Sequence, residues 1–265
     1  MNTSTQKQFS WAETLYWLIS RVADFVGHFT WRPFSWLAVF LYKTFYRLDL
    51  SEFKKTKVWQ YSSLFELFCR EFADIDAARP INTANTVSPA DGQIIEAQRL
   101  SENTQISAKG QGYTAQELVD SKESFEGYHG TTIYLSPRDY HRVHMPRDGR
   151  LIAINEKDGM LRSVKPKLTA KYPQLFAENK RTILTFEDDK SKEKFYVVLV
   201  GAMIVGKIVI QDNQHKSLPV GSVIKKGEQI GYFTFGSTVI ILSKEQLGDT
   251  CDRHSSRPIK ARAAF

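Results

Sequence analysis

Three short segments of this 265-residue chain hold residue types able to do chemistry. In Ser88-Pro89-Ala90-Asp91-Gly92 a carboxylate sits between Pro and Gly, just ahead of a strand-like stretch at 93–97. Asp91 suits a tight turn as well as a functional role, and the segment alone leaves both open. The second segment, Ser136-Pro137-Arg138-Asp139-Tyr140-His141-Arg142-Val143-His144-Met145-Pro146, contains two of the six histidines. Imidazoles exchange protons near neutral pH, so His141 and His144 are candidates for separate acid and base functions. A strand end with exposed histidines fits the same spacing. On a regular strand, residues an odd number apart face opposite sides, so both can reach one site only where the strand ends or twists, as Pro146 allows. The spacing does not match a helical i, i+4 metal pair, and no metal site is expected.

The third segment runs Lys226-Gly227-Glu228-Gln229-Ile230-Gly231-Tyr232-Phe233-Thr234-Phe235-Gly236-Ser237-Thr238-Val239-Ile240. It is not a G-x-S-x-G nucleophile elbow, because Phe235 stands two residues before Ser237 and Val239 two after. Gly-Ser-Thr is common in turns. The pair also suits a backbone rearrangement: Gly236 leaves its carbonyl open to the Ser237 hydroxyl, and elimination of the resulting ester leaves dehydroalanine and then a pyruvoyl terminus.

The rest of the chain must position these residues. At 42% hydrophobic, 12% aromatic and 25% charged residues, the composition is that of a folded protein. Cys69 and Cys251 are far apart in sequence, so neither a disulfide framework nor a metal-type pair is indicated. The net charge of +7 favours anionic partners. Over residues 1–60 the basic Lys7, Arg21, Arg32, Lys43, Arg47, Lys54, Lys55 and Lys57 outnumber the acidic Glu13, Asp24, Asp49 and Glu52, and are interleaved with Trp11, Trp17, Trp31 and Trp36. That mixture suits a lipid headgroup region. Trp11, Leu15, Leu18, Val22, Phe25 and Phe29 share one side of a helix, opposite Glu13, Ser20, Asp24 and His28. Pro33 should end it, and a second apolar helix is expected through Trp36, Leu37, Val39, Phe40, Leu41 and Phe45. Charges interrupt every apolar run before spanning length, so the segment is expected to lie on a bilayer rather than cross it; an amphipathic pair packed on the protein body fits the same pattern. Neither is a signal peptide expected.

Ser62 or Ser63 can cap a short helix through Leu64, Leu67 and Phe68. Apolar runs rich in β-branched residues then recur at 131–135, 151–154, 182–186, 195–200 and 203–210. Residues 86–242 therefore read as mostly antiparallel β structure, and the basic tail at 243–265 shows no strong pattern. The expected organisation is membrane-binding helices over 1–60, a β-rich domain over 61–242, and the tail.

In their order, Pro89-Ala90-Asp91-Gly92, the Ser136 to Pro146 run and Gly236-Ser237-Thr238 resemble the proteobacterial type of phosphatidylserine decarboxylase. Ala108-Lys109-Gly110, Leu175-Phe176-Ala177 with Asn179, and Leu199-Val200-Gly201-Ala202 with Ile204-Val205-Gly206 look like further family segments. The resemblance implies an α+β fold, with a mostly antiparallel, sandwich-like β core behind N-terminal amphipathic helices. It implies a self-processing triad in which His144 activates Ser237 and Asp91 orients the imidazole, cutting the backbone between Gly236 and Ser237. Ser237 would become a covalent pyruvoyl cofactor that condenses with the amine of phosphatidylserine and accepts electrons as carbon dioxide leaves, giving phosphatidylethanolamine. His141 would serve that decarboxylation, and Ser163 would lie near the substrate. The chains 1–236 and 237–265 would stay together as a heterodimer, with room for a higher oligomer, bound peripherally to an anionic surface at the cytoplasmic face of a bacterial inner membrane. Departures from the family's pattern fall at Met160, Arg162, Lys165 and Phe235. An unprocessed, catalytically silent membrane scaffold and a serine esterase using the same three residues repeatedly are the alternatives; only self-processing predicts two chains. Nucleic acid is not an expected partner, since no basic patch sits on a recognisable reader motif.

Overall fold

The computed structural model describes residues 21–22, 25, 27–101, 106, 112–166, 172, 174–202, 207–234, 237–252 and 255–265. Most of the first expected helix lies outside them, although Arg21, Val22, Phe25, Gly27 and His28 are helical. Its end meets the body where the His28 ring lies 3.9 Å from that of Phe65.

Helix α1 spans Arg32–Tyr46, with Pro33 in its first turn, where a missing N–H costs nothing. Its inner stripe is Ser35 and Val39, both buried, with Tyr42 and Tyr46 packed on the cluster of Leu48, Leu50, Phe53, Tyr61, Leu67, Phe72 and Tyr140. No helix among the described residues is long and apolar enough to cross a membrane. Two short helices follow: α2, Leu64–Phe68, capped by the Ser63 hydroxyl accepting from the Glu66 N–H, and α3, Ile75–Ala78, capped by Asp74.

The expected α+β architecture with a mostly antiparallel β core is what forms. Eleven strands are described: β1 Gly92–Arg99, β2 His129–Leu135, β3 Arg142–His144, β4 Gly149–Lys157, β5 Arg181–Asp188, β6 Lys194–Gly201, β7 Ile208–Val209, β8 Val223–Ile224, β9 Gln229–Phe233, β10 Ser237–Ser243 and β11 Arg257–Ile259. They form an antiparallel eight-stranded sheet in the order β11-β1-β2-β10-β6-β5-β4-β8 and a small sheet in the order β3-β9-β7. Helices α4, Ala115–Val119, and α5, Leu175–Glu178, carry residues of the cluster on the other face of the large sheet.

Alternation along β6 and β10 shows how both faces are filled. Phe195, Val197, Leu199, Val239 and Ile241 join a core with Val143, Met145, Ile230 and Phe233 of the small-sheet side. Tyr196, Val198, Val200, Ile240 and Leu242 point the other way, to the cluster with Leu118 and Phe176. Burial on both faces explains why these strands read as continuous apolar runs. The tail, patternless in sequence, folds back: β11 pairs with β1, Gly92 opposite Ile259, and Val87 bridges Ala264.

Candidate active site

Ser237 opens β10, inside the large sheet, with Leu135 of β2 and Gly201 of β6 as register partners. It shares the face of Val239 and Ile241, so its side chain points toward the small sheet. It is fully buried, and its hydroxyl has no hydrogen-bond partner among the described residues. A buried hydroxyl costs about 1–3 kcal/mol when unpaired. Phe235 and Gly236 lie outside the described residues.

Two connections lead from one sheet to the other. One leaves β2 at Leu135 and enters β3; the other leaves β9 at Phe233 and enters β10 at Ser237. The Phe233 N–H donates to the His141 carbonyl at 3.0 Å. Four residues of chain reach at most about 14 Å, which bounds the separation of Ser237 from Phe233 and so ties it to the histidine segment.

The histidine segment does not continue as a regular strand. His141 precedes β3, and the pairing with β9 shifts register between Val143 and His144, a bulge that re-aims the second imidazole. Both rings are buried. His141 donates from Nδ1 to the Asp139 carbonyl at 2.8 Å, lies 4.0 Å from the Phe68 ring, and has no partner at Nε2 among the described residues. His144 donates from Nδ1 to the Gly227 carbonyl at 3.0 Å, which fixes its tautomer and leaves Nε2 to accept from the Tyr140 hydroxyl at 3.2 Å. Burial, followed by the positive charge of Arg70 for His141 and of Arg262 for His144, pushes both imidazoles down to about 3. Both are therefore neutral at pH 7, and a neutral imidazole can accept a proton.

Asp91 does not touch either ring. Its carboxylate is held by Arg79 through Nε at 2.9 Å and Nη2 at 2.7 Å, by the Ala261 N–H at 2.8 Å, and by Lys260 at 3.4 Å. Burial alone would raise its pKa, but the bidentate Arg79 outweighs it and keeps Asp91 ionised below the usual carboxylate range. Its negative charge reaches His141 and His144 through space, raising both. The resemblance implies that Asp91 orients the imidazole of His144; the two side chains share no hydrogen bond here, the carboxylate's oxygens being taken by Arg79, Lys260 and the Ala261 N–H.

A cleft of about 520 Å³ opens beside Asp91 and is bordered by Arg47, Glu52, Arg79, Tyr140 and Lys260. Tyr140 is the link between cleft and imidazole, since it borders the cleft and bonds to His144. Ser163 is buried in a segment tied down by Asn179, whose amide donates to the Arg162 carbonyl at 2.8 Å and to the Gly201 carbonyl at 2.9 Å. Because Gly201 is the register partner of Ser237, this fastens the Ser163 segment to the same end of the sheet.

Sequence reasoning missed Arg79, Tyr140 and Arg262. Tyr140 lay inside a segment already singled out. Arg79 follows a four-residue helix and Arg262 sits in the tail, so neither carried a local signal.

The sequence model of the family described as Phosphatidylserine decarboxylase matches residues 64–263. A phosphatidylserine decarboxylase proenzyme of Francisella tularensis subsp. novicida is 37% identical over 214 residues, covering 75% of this chain and 74% of the relative. The protein of the same name from Francisella philomiragia is 34% identical over 213 residues, covering 74% of each.

Proposed function

The chain belongs to the phosphatidylserine decarboxylase family, and on that premise we propose that it matures by cutting itself between Gly236 and Ser237 and then converts phosphatidylserine to phosphatidylethanolamine with a pyruvoyl group derived from Ser237. The observation that carries this reading is the buried Ser237 hydroxyl, without a hydrogen-bond partner among the described residues, on the face turned toward the small sheet whose strand β3 follows His141 and ends at His144. No side chain or backbone group among the described residues pairs with that hydroxyl, and a buried hydroxyl kept at a cost in stability points to a chemical role. The name proenzyme carried by the relatives supports the same reading.

In maturation, His144 is the base. Its Nδ1 proton is committed to the Gly227 carbonyl, so the Ser237 proton passes to Nε2 once that nitrogen is released by Tyr140. The serine oxygen then attacks the Gly236 carbonyl, and Asp91 stabilises the imidazolium from a distance rather than by contact. When formed, the pyruvoyl group supplies the electron sink for loss of carbon dioxide. The buried His141 has no partner at Nε2 among the described residues, and we assign it the proton transfer of that later step. We assign the protein a peripheral position on an anionic membrane, at the cytoplasmic face; the exposed apolar side chains of α1 and the basic excess of residues 1–60 support this reading.

Intact mass tests the proposal. Chains of residues 1–236 and 237–265, the shorter one gaining mass on reductive trapping with an amine, are expected. A single 265-residue species would favour an uncut scaffold instead.

A further inference from the structure

The last residues of the chain return to the site. The Ala261 N–H and the Lys260 ammonium hold Asp91. The next residue, Arg262, donates from Nε to the Gly227 carbonyl at 2.9 Å. That carbonyl also accepts the Nδ1 proton of His144 at 3.0 Å, so both of its lone pairs are used. The turn at Gly227 is fixed from its other side by its N–H donating to the Met145 carbonyl at 2.8 Å. Gly227 has φ +84, and a Cβ there would lie 2.6 Å from Ile81 and 3.2 Å from Arg262 Nε, so glycine is required for backbone and space alike.

Arg262 is held with unusual completeness for a residue near a chain end. It is 6% exposed; its N–H donates to the Ser88 carbonyl at 2.8 Å, and its carbonyl accepts from Asn82 at 2.9 Å. Nη1 pairs with Asp76 at 2.6 Å and donates to the Arg79 carbonyl at 3.2 Å. Its backbone is left-handed, φ 66, a conformation that costs a non-glycine residue about 1 kcal/mol or more and persists only where the surroundings impose it.

From this chain of contacts we infer that Arg262 is a positioning residue that links Asp91 to His144: Asp91 fixes the segment 260–262, and Arg262 fixes the carbonyl that sets the imidazole's orientation and tautomer. Asp91, Arg142 and the Tyr140 hydroxyl are the other charged or titratable groups acting on that ring, and Asp91 makes no hydrogen bond to it. Beside its through-space stabilisation of the imidazolium, Asp91 therefore has a second route to self-cleavage, the reading on which this inference rests for its kinetic consequence, and that route runs through the tail.

A double-mutant cycle on the full chain, scored by fragment mass against time, tests the link. Arg262→Gln is expected to slow cutting about ten- to a hundredfold, the scale on which a displaced reacting group loses rate. Combined with Asp91→Asn, it should be no slower than the slower single variant, since both break one connection. Losses that multiply would overturn the inference. Asp76→Asn removes only the partly exposed ion pair and should cut at the wild-type rate; slowing equal to that of Arg262→Gln would make Arg262 a mere clamp. A second readout needs no cleavage. In the uncut Ser237→Ala chain, ring-nitrogen NMR of His144 should report the Nδ1–H tautomer, and adding either Arg262→Gln or Asp91→Asn should mix in the other. An unchanged tautomer in whichever variant folds sinks the link even if the wild-type chain is never cut, whereas an uncut wild-type chain alone would sink only self-cleavage.

Discussion

Aromatic and aliphatic side chains are treated in opposite ways in two regions of this molecule. In the β core Phe186, Phe195, Leu199, Phe233 and Val239 are essentially sealed from water. On α1 Leu37, Phe40, Leu41 and Phe45 point outward, Phe45 at 79% exposure. A helix apolar on both its inner stripe and its outer face needs a second apolar neighbour, because contiguous exposed patches mark interaction surfaces. The core has finished its packing and encloses unpaired polar groups; the helix has packed one side and leaves the other open. Chemistry and membrane attachment should therefore be separable by mutation.

The largest break comes at Ser237. Ser237→Ala removes the attacking oxygen and should leave the chain at full length with no amine-trappable carbonyl, an all-or-none change visible on a denaturing gel. Because the hydroxyl it deletes is unpartnered, the variant should fold at least as well as the parent, with an unchanged or higher Tm. Two fragments from this variant would dispose of the proposed mechanism.

Next in size are the histidines. His144→Ala should block maturation, and His141→Ala should permit it while lowering carbon dioxide release per pyruvoyl group about 10²–10⁴-fold, the usual worth of a positioned acid or base. Cutting lost with His141 and retained with His144 would reverse the two roles. Their burial has a further consequence for pH. Both are pushed to about 3 in the fold against about 6.5 when unfolded, so the unfolded chain binds more protons between those values. Stability should be fully present above pH 6.5 and decline as pH falls below it, read as a Tm lower at pH 5 than at pH 7. An unchanged Tm over that interval would mean that the imidazoles are not sealed.

How much of this was legible follows from where the information lies. The apolar runs at 131–135, 151–154, 182–186 and 195–200 fall within β2, β4, β5 and β6; in β2, β5 and β6 burial on both faces favours uninterrupted runs, whereas β4 is largely half-buried or exposed beyond Leu151. Of the run expected at 203–210, Ile208 and Val209 form β7 and residues 203–206 lie outside the described residues. Pro33, expected to end the first helix, stands in the first turn of α1, and of the two candidate caps Ser62 and Ser63 it is Ser63 that caps α2, both through chemistry local to the backbone. What sequence did not reveal is made by long-range pairing without periodicity. Arg79 meets Asp91 across a loop, Tyr140 reaches His144 because a bulge turns the ring, and Arg262 returns along a three-residue strand paired through its backbone. The spacing of the histidines raised a facing problem, and the register shift between Val143 and His144 that bears on it depends on β9, some 85 residues further on.

The smallest expected effect tests the helix side of the comparison. Phe45→Ser replaces the most exposed of the outward aromatics on α1, and no partner among the described residues buries it, so Tm should stay within about 1 °C of the parent, as for a surface substitution worth a few tenths of a kcal/mol. Binding to vesicles containing anionic lipid should weaken about tenfold, since removing part of a phenylalanine from hydrocarbon costs about 1.4 kcal/mol or more. Binding should also fall with salt, because Arg32, Lys43, Arg47 and the lysines at 54, 55 and 57 each add about 1 kcal/mol near an acidic surface. Val39→Ala, on the fully buried inner stripe of the same helix, should do the reverse, lowering Tm by several degrees and leaving vesicle binding in place. Neither change should alter the mass of the fragments. If Phe45→Ser lowers Tm as Val39→Ala does and leaves vesicle binding untouched, the outer face is covered by protein, and the contrast between a closed core and an open helix fails at its simplest point.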